Sequence, residues 1–238
     1  MKLKVIITGA QGLVGEGVLL QCLENPLIGE VLNVGRWSAG IEHEKLKELL
    51  VPDLVNLDAH EDSLTGYHAC FYCARIIPSG LDDELYAKFV IEPALSFASR
   101  LLILNPNMVL SFLSKYDGKS SKAGSGKINF MVESALSKII FRKVFFFRTR
   151  LVLPTSRQRN VFFLARLLAY VYPILKLILP SAINNTKEIG LAMINTLITD
   201  CAKRKLTPRE IRILAVKDAP IDDKTKPFIY LAEENWLT

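Results

Sequence analysis

Lys4-Val5-Ile6-Ile7-Thr8-Gly9-Ala10-Gln11-Gly12-Leu13-Val14-Gly15-Glu16-Gly17 is the stretch that decides the fold of this chain. The apolar run that ends at Thr8 is typical of a buried β-strand, and the apolar residues from Leu13 to Leu23 predict a helix. Glycines stand at positions 9, 12 and 15, between the two elements. A strand that runs through a glycine turn straight into a helix indicates the first part of a βαβ unit.

Each of the three glycines has its own mechanical reason. Gly9 allows the tight turn out of the strand, Gly12 lets the backbone approach a pyrophosphate, and Gly15 lets the helix pack closely against the sheet. The phosphates would then lie on free N–H groups at the positive end of the helix. The alternative is a turn that is merely rich in glycine, but its place between a strand and a helix favours a dinucleotide site.

Beyond the glycine turn, strand-like and helix-like segments alternate, which implies βαβ units and a parallel sheet with helices on both faces. We expect a Rossmann-like, doubly wound α/β domain at residues 1–153 and a small, mostly helical C-terminal lobe at residues 154–238. The predicted helices are 13–23, 82–102 with a kink or break at Pro93, and 127–140. The predicted strands are 2–8, 30–34, 53–57, 69–74, 107–113, 143–148 and 211–216.

The composition agrees with one α/β domain and excludes several other classes of protein. The chain has 238 residues, of which 50% are apolar and 23% are charged, so it is neither disordered nor collagenous nor a coiled coil. Its four cysteines are too few for a disulfide scaffold, and residues 1–9 lack the features of a signal peptide. We therefore expect a cytoplasmic protein.

The net charge of +6 is unevenly distributed, because no Asp or Glu occurs from Ser134 to Lys187, where ten basic residues lie. Such a stretch either faces an anionic ligand, a nucleic acid or a membrane surface, or is simply a solvated lobe. No nucleic-acid motif is present, which disfavours that partner. Residues 161–180 are the most apolar segment, but Arg166, Lys176 and Pro173 favour two short buried helices over a membrane span, with contact to a membrane surface as the alternative.

Arg36 and Asp58, which follow the glycine turn in the sequence, indicate which dinucleotide would bind and how. The second predicted strand ends at Val34-Gly35-Arg36, where a carboxylate would be expected to bind the 2′-hydroxyl of NAD(H). Arg36 instead suits a 2′-phosphate, so the sequence favours NADP(H) over NAD(H), unless Arg36 is an ordinary surface residue. Asp58, at the end of the third predicted strand, is a candidate acceptor for the adenine amino group.

These residues resemble the short-chain dehydrogenase/reductase superfamily, and more narrowly its small atypical members of the NAD-dependent epimerase/dehydratase group. The opening Thr8–Gly17 is the most specific match to that family. Weaker likeness occurs at Tyr67–Cys73, Leu104–Met108 and Thr186–Met193, so that the resemblance covers about residues 1–200. It implies NAD(P)H binding and the activity of an oxidoreductase or epimerase on a small, unidentified substrate.

The resemblance also implies a catalytic serine, tyrosine and lysine, of which this chain matches only the first. Ser114 follows the fifth strand at the serine position. Ser125 stands where the tyrosine is expected and Asn129 where the lysine is expected, four residues later. Tyr172 and Lys176 have the required spacing but lie far along the chain, so we interpret them as coincidence. Tyr116 is a conceivable substitute proton donor.

Two further positions depart from the family pattern. Ala74-Arg75 replaces a glycine after the fourth strand, and Arg148-Thr149-Arg150 replaces an Arg-Pro-Gly after the sixth. Arg75 and Arg150 would either recognise an anionic substrate or obstruct the pocket. The candidate catalytic residue is thus Ser114 alone, and the candidate cofactor-binding residues are Gly9, Gln11, Gly12, Leu13, Val14, Gly15, Arg36, Asp58, Ala74, Arg75 and Arg148.

A metal site is not expected. Cys70 and Cys73 lie three positions apart on a predicted strand, so their thiols would point to opposite faces, and the three histidines lack ligand spacing. Three hypotheses for function stay open. The protein is an NADP(H)-dependent enzyme with an unusual proton donor, a catalytically inactive NADP(H)-binding sensor or interaction module, or a protein of the membrane surface.

Overall fold

The structure is a computed structural model that describes residues 2–74, 87–115, 125–155, 157–159, 172 and 182–216. Its strands are β1 (Leu3–Thr8), β2 (Ile28–Gly35), β3 (Leu46–Leu50), β4 (Ala69–Tyr72), β5 (Val109–Lys115), β6 (Lys143–Thr149), β7 (Leu151–Leu153), β8 (Ile183–Asn185) and β9 (Lys205–Leu206). Its α-helices are α1 (Leu13–Glu24), α2 (Glu61–Leu64), α3 (Glu92–Leu104), α4 (Ser125–Leu136), α5 (Thr186–Ile198) and α6 (Pro208–Val216).

Seven strands form one parallel sheet in the order β3-β2-β1-β4-β5-β6-β9, and β7 pairs with β8 in a separate two-stranded sheet. The chain reverses its direction of travel across the sheet between β3 and β4, so that β1 and β4 are neighbours at the centre. Ligands of open α/β sheets bind at such a switch point, beyond the carboxyl ends of the strands. The predicted Rossmann-like, doubly wound parallel sheet is confirmed.

Alternating side chains of each strand pack on opposite faces of the sheet. Phe145 and Phe147 of β6 belong to one core cluster, which also contains residues of α1, α5 and α6. Phe146 belongs to the other cluster, together with residues of α2, α3 and α4. Because successive strand residues point to opposite faces, the consecutive phenylalanines can fill both cores at once. The sheet is therefore buried on both sides, as its apolar strands predict.

The third strand was predicted at the wrong place. It is Leu46–Leu50, which pairs in parallel with β2 from Val31 onward, and not residues 53–57. The Asp53 carboxylate accepts hydrogen bonds from the backbone N–H groups of Val55 at 2.8 Å and Asn56 at 3.0 Å. This local turn occupies the backbone donors that a strand would offer to a neighbour.

Two other predictions also need correction, one of a strand and one of a helix. Residues 211–216 are not a strand but part of α6, which Pro208 begins and whose Glu210 carboxylate accepts from the Thr207 N–H at 2.7 Å. The helix predicted at 82–102 is α3, preceded by a π-helical turn at Ala87–Ile91. Pro93 lies in its first turn, where a missing N–H costs nothing, so it marks the start of the helix and not a kink.

The described residues beyond 154 join the same core as the rest of the chain. Helix α5 packs against α1, α6 packs against α5, and β9 adds the last strand of the central sheet. Ile189, Met193 and Ile211 are fully buried in the cluster on that face. Most of the apolar segment 161–180 lies outside the described residues, and a domain boundary at residue 153 stays a prediction.

Candidate cofactor-binding site

The glycine turn has the tight geometry that its sequence predicts. Gly9 has φ of +71°, and a Cβ on it would lie 2.6 Å from the backbone nitrogen of Ala74, after the neighbouring strand β4. A Cβ on Gly15 would lie only 1.9 Å from the Gly9 carbonyl oxygen. Both positions therefore exclude a side chain, and together they hold the first turn of α1 against the end of β1.

Gly12 differs from the other two because the space beside it is open. A Cβ there would meet only the Gly9 oxygen, at 3.3 Å, and its backbone has an ordinary extended conformation with φ of −80°. Gly12 is also the N-cap of α1, and no side chain caps that end of the helix. A bare, exposed backbone at a helix N-terminus fits the diphosphate of a dinucleotide, which would lie against the N–H groups of Leu13 and Val14.

The loop after β2 is fixed beside this turn. Gln11 donates from Nε2 to the carbonyl oxygen of Ser38 at 2.5 Å, which links the glycine turn to the loop. Glu48 accepts from the backbone N–H of Ala39 at 2.6 Å and from the Asn33 amide at 3.1 Å. Burial raises the pKa of Glu48, but its hydrogen bonds outweigh burial, so that the pKa lies below its usual value.

Arg36 stands at the start of this loop, directly after the last residue of β2. It is exposed, and it pairs with no carboxylate in the part of the chain that the structure describes. The C-terminal end of β2 is where a Rossmann fold reads the ribose of its dinucleotide. A free guanidinium at this position is the arrangement that the sequence predicts for binding a 2′-phosphate.

The prediction that Asp58 lies at the end of the third strand is wrong, because β3 ends eight residues earlier, at Leu50. It begins a short 3₁₀ turn, Asp58–His60, and its carboxylate forms an ion pair with Arg100 of α3. The same guanidinium binds Glu61 at 2.5 Å. Its proposed contact with adenine, which stays a prediction, would thus compete with Arg100.

Ser114 lies at the centre of a buried polar cluster. Its hydroxyl donates to Oε1 of Glu133 at 2.8 Å, and both side chains are almost fully buried, at 1% and 2% exposure. Arg148 of β6 binds the same carboxylate through Nε at 2.9 Å and Nη2 at 2.5 Å. This cluster thus takes one residue each from strand β5, helix α4 and strand β6.

The cluster determines what the Ser114 hydroxyl can do. A serine has one hydrogen to donate, and here that hydrogen goes to a carboxylate, so that no hydrogen is left to polarise a substrate oxygen. The predicted catalytic serine and the predicted cofactor residue Arg148 are therefore joined by Glu133, which the sequence did not single out. Its place on α4, four residues after Asn129 and so on the same helix face, was the available signal.

The structure locates only part of the predicted catalytic set. Ser125 begins α4, and Asn129 lies one turn further along the same helix. Tyr116 and Arg75 fall outside the described residues. The Tyr172 hydroxyl donates to Glu188 at 2.6 Å. Burial, and to a smaller extent this hydrogen bond, raises the pKa of the phenol. Ala74, half-buried, donates from its backbone N–H to the Thr8 hydroxyl at 3.1 Å, at the edge of the glycine turn.

Sequence reasoning also missed a segment that packs on α1 from late in the chain, residues 157–159. Gln158 donates to the carbonyl oxygen of Leu13 at 2.6 Å, and the backbone N–H of Arg159 donates to Glu16 at 2.6 Å. Glu16 is only 2% exposed. The Arg159 guanidinium, which is exposed, donates to the Gly40 carbonyl oxygen at 3.2 Å. This segment therefore joins the first turn of α1 to the loop after β2.

The described residues contain no cluster of metal ligands, and three of their cysteines are buried. No three His, Cys, Asp or Glu side chains among them are grouped closely enough to hold a metal ion. Cys22, Cys70 and Cys73 are buried free thiols, and burial raises the pKa of Cys73 to about 12. The same residues contain no helix with the length and hydropathy needed to cross a membrane.

Comparison with family profiles and with curated protein sequences gave no match. Solved structures do match. The reductase domain of PhqB from Penicillium fellutanum aligns with a TM-score of 0.59 and 14% identity, over 85% of this chain and 65% of that chain. This chain thus spans slightly less than two thirds of that domain.

Two further structures align with similar scores. UDP-glucuronic acid 4-epimerase from Bacillus cereus, in complex with NAD, has a TM-score of 0.58 and 15% identity, over 86% of this chain and 78% of that chain. Gre2 from Candida albicans, in complex with NADPH, has a TM-score of 0.58 and 16% identity, over 87% and 80%. At these identities the likeness is one of fold. The chain therefore shares its Rossmann-like fold with these reductases and epimerases.

Proposed function

We propose that this protein binds a nicotinamide dinucleotide at the glycine turn and prefers NADP(H) to NAD(H). The observation that carries the proposal is the open backbone at Gly12, which caps α1 without a side chain in the place that a diphosphate would take. Structures of the same fold hold NAD in one case and NADPH in another. The preference for NADP(H) rests on Arg36, whose charge no described carboxylate neutralises.

The residues present would hold such a cofactor in a definite orientation. The backbone of Leu13 and Val14 would bind the diphosphate, and Arg36 would bind the phosphate on the adenosine ribose. The nicotinamide end would then lie beyond β4 and β5, on the side of Ala74 and Ser114. A bound nicotinamide dinucleotide supplies a hydride, or accepts one.

At the positions where the family has its tyrosine and lysine, this chain has no group that could move the accompanying proton. Ser125 and Asn129 offer neither a phenol nor an ammonium, and the Ser114 hydroxyl already donates to Glu133. Loss of a positioned acid or base typically lowers a rate by about 10²–10⁴-fold. Of the two functions that follow, we therefore favour a binding protein that turns its cofactor over slowly or not at all. A reductase or epimerase that uses another proton donor is the second candidate.

Titration with NADPH and with NADH tests the proposal, with the melting temperature as the readout. Ligand at 100 times its Kd stabilises a protein by about 2.7 kcal/mol, which raises Tm by roughly 5–11 °C in a chain of this size. We expect this shift with NADPH and a smaller one with NADH. Absence of any shift with either nucleotide would contradict the proposal.

Arg36→Ala tests the preference for the phosphorylated cofactor, and Arg209→Ala is its matched control. Arg209 is also an exposed arginine, but it lies on α6 and not in the loop that follows β2. We expect Arg36→Ala to lose most of the preference for NADPH over NADH and Arg209→Ala to behave as the wild type. If Arg36→Ala kept the preference, Arg36 would not be its source.

The free cysteines bear on the compartment in which the protein works. We place the protein in the cytoplasm, because all four of its cysteines are free thiols, as a reducing compartment would keep them. Its partner would be a small molecule bound beside the cofactor, and the sequence gives no reason to expect a nucleic acid.

A further inference from the structure

Arg159 differs from three other basic residues of the acid-free stretch in the kind of group that it contacts. Lys143 pairs with Asp200, Arg148 with Glu133 and Arg157 with Glu24, so that a carboxylate neutralises each of these charges. The Arg159 guanidinium donates instead to a neutral backbone oxygen, that of Gly40. Within the described residues it pairs with no carboxylate, and its other N–H donors are available to an anion.

The position of that contact connects Arg159 with the nucleotide site. Gly40 lies four residues after Arg36, in the loop that follows β2. The Gln11 side chain of the glycine turn binds the same loop at Ser38. The short loop 36–40 thus carries one exposed guanidinium at its start and contacts a second at its end, while Gln11 holds its middle against the diphosphate site.

The backbone that carries Arg159 is held in place by buried contacts. Its N–H donates to Glu16, which is 2% exposed, and the preceding Gln158, also 2% exposed, binds the Leu13 carbonyl oxygen. The hydroxyl of Thr186 donates to the Gln158 amide oxygen as well. Folding therefore fixes the base of the Arg159 side chain before any ligand arrives, which lowers the entropic cost of binding.

The chemistry of the ligand asks for two such groups. A phosphate monoester carries between one and two negative charges near pH 7, and it accepts hydrogen bonds on three oxygens. One guanidinium satisfies at most two of those oxygens with its planar pair of donors. A second guanidinium, from another part of the chain, would complete both the charge and the hydrogen bonding.

We infer that Arg159 is a second specificity residue for the 2′-phosphate of NADP(H), acting with Arg36 from the opposite end of loop 36–40. This inference rests on the proposed function and names a residue that selects its ligand. It assigns part of the acid-free basic stretch to the cofactor. It also gives the 157–159 segment a role, because that segment carries the second cation to the site.

Arg159→Ala tests the inference, with Arg157→Ala as its matched control. Both arginines are exposed and lie in the same segment, but Arg157 pairs with Glu24 at the far end of α1. Alanine at 159 keeps the backbone N–H that binds Glu16. Dissociation constants would be measured by isothermal titration for NADPH, NADH and adenosine 2′,5′-bisphosphate.

We expect Arg159→Ala to bind NADPH and adenosine 2′,5′-bisphosphate about tenfold more weakly, the effect of one exposed charge-assisted hydrogen bond, with the Kd for NADH unchanged. Arg157→Ala should match the wild type with all three ligands. Equal weakening of NADPH and NADH would overturn the inference, since Arg159 would then act on a part that both share. An unchanged Kd for NADPH would overturn it too. If the wild type bound neither dinucleotide, the proposed function itself would fail, and this outcome differs from both outcomes that overturn the inference about Arg159.

Discussion

The variant Ser114→Ala tests whether the Ser114 hydroxyl stabilises the fold or is free to bind a substrate. Its hydroxyl is 1% exposed and donates to Glu133, a carboxylate that is itself 2% exposed. A hydrogen bond to a charged group contributes about 1.5–3 kcal/mol, and a buried carboxylate that loses a donor cannot turn to water. We therefore expect the free energy of unfolding to fall by about 2 kcal/mol, with Tm lower by roughly 4–8 °C.

Ser111 supplies the control for this measurement. It lies on the same strand β5 and is fully buried, but its hydroxyl has no hydrogen-bond partner among the described residues. Ser111→Ala removes a polar group that gains nothing from burial, so stability should stay equal or rise slightly. Urea denaturation of the wild type and both variants would give the two free energies of unfolding.

The result that refutes this reasoning is simple to recognise. If Ser114→Ala were as stable as Ser111→Ala, the Ser114 hydroxyl would not be committed to Glu133, and it would be free to act on a substrate. The double variant Ser114→Ala with Glu133→Ala adds a second check. Because the two residues share one hydrogen bond, their effects should not add, and full additivity would show that they do not interact.

Three further predictions follow from single contacts. Gly12→Ala should fold normally, because its Cβ meets only the Gly9 oxygen at 3.3 Å, but it should lose dinucleotide binding in a titration. Gly15→Ala, whose Cβ would lie 1.9 Å from the same oxygen, should lose the fold as judged by circular dichroism. Burial lowers the pKa of His68, whose Nδ1 accepts from the Lys4 N–H at 3.0 Å, so stability should be full above pH 6.5 and fall as the pH drops further. His68→Asn should remove this slope in urea titrations. Cys201, which is half-exposed, should react with a thiol reagent in the native protein, while the buried Cys22, Cys70 and Cys73 should react only after unfolding, and early reaction of more than one thiol per chain would contradict this.

Local chemistry explains why the glycine turn and the sheet were predictable. Gly9 is required by its positive φ and Gly15 by its contact with the Gly9 carbonyl oxygen, and both requirements arise within the same short stretch. The apolar strands β1, β5 and β6 are buried on both faces. Such segments carry their own signal in the sequence. Strand β3 carries a weaker one, because Lys47 and Glu48 in its middle reflect its place at the edge of the sheet.

The remainder depends on residues that are distant in sequence. Glu133 is a site residue because Ser114 and Arg148 converge on it, and helix spacing alone does not predict those two contacts. Arg159 reaches Gly40 over 119 positions of the chain. Asp58 was assigned from a strand that lies elsewhere, so its place followed from the wrong element. Contacts of this kind are set by tertiary packing and not by local preference.

A crystal structure of the protein grown with NADPH tests the central claim most directly. We expect diphosphate oxygens within hydrogen-bond distance of the backbone N–H groups of Leu13 and Val14, beside the open face of Gly12, with the 2′-phosphate on Arg36. NADPH bound at another place, or a side chain lying across Gly12 in its stead, would contradict it.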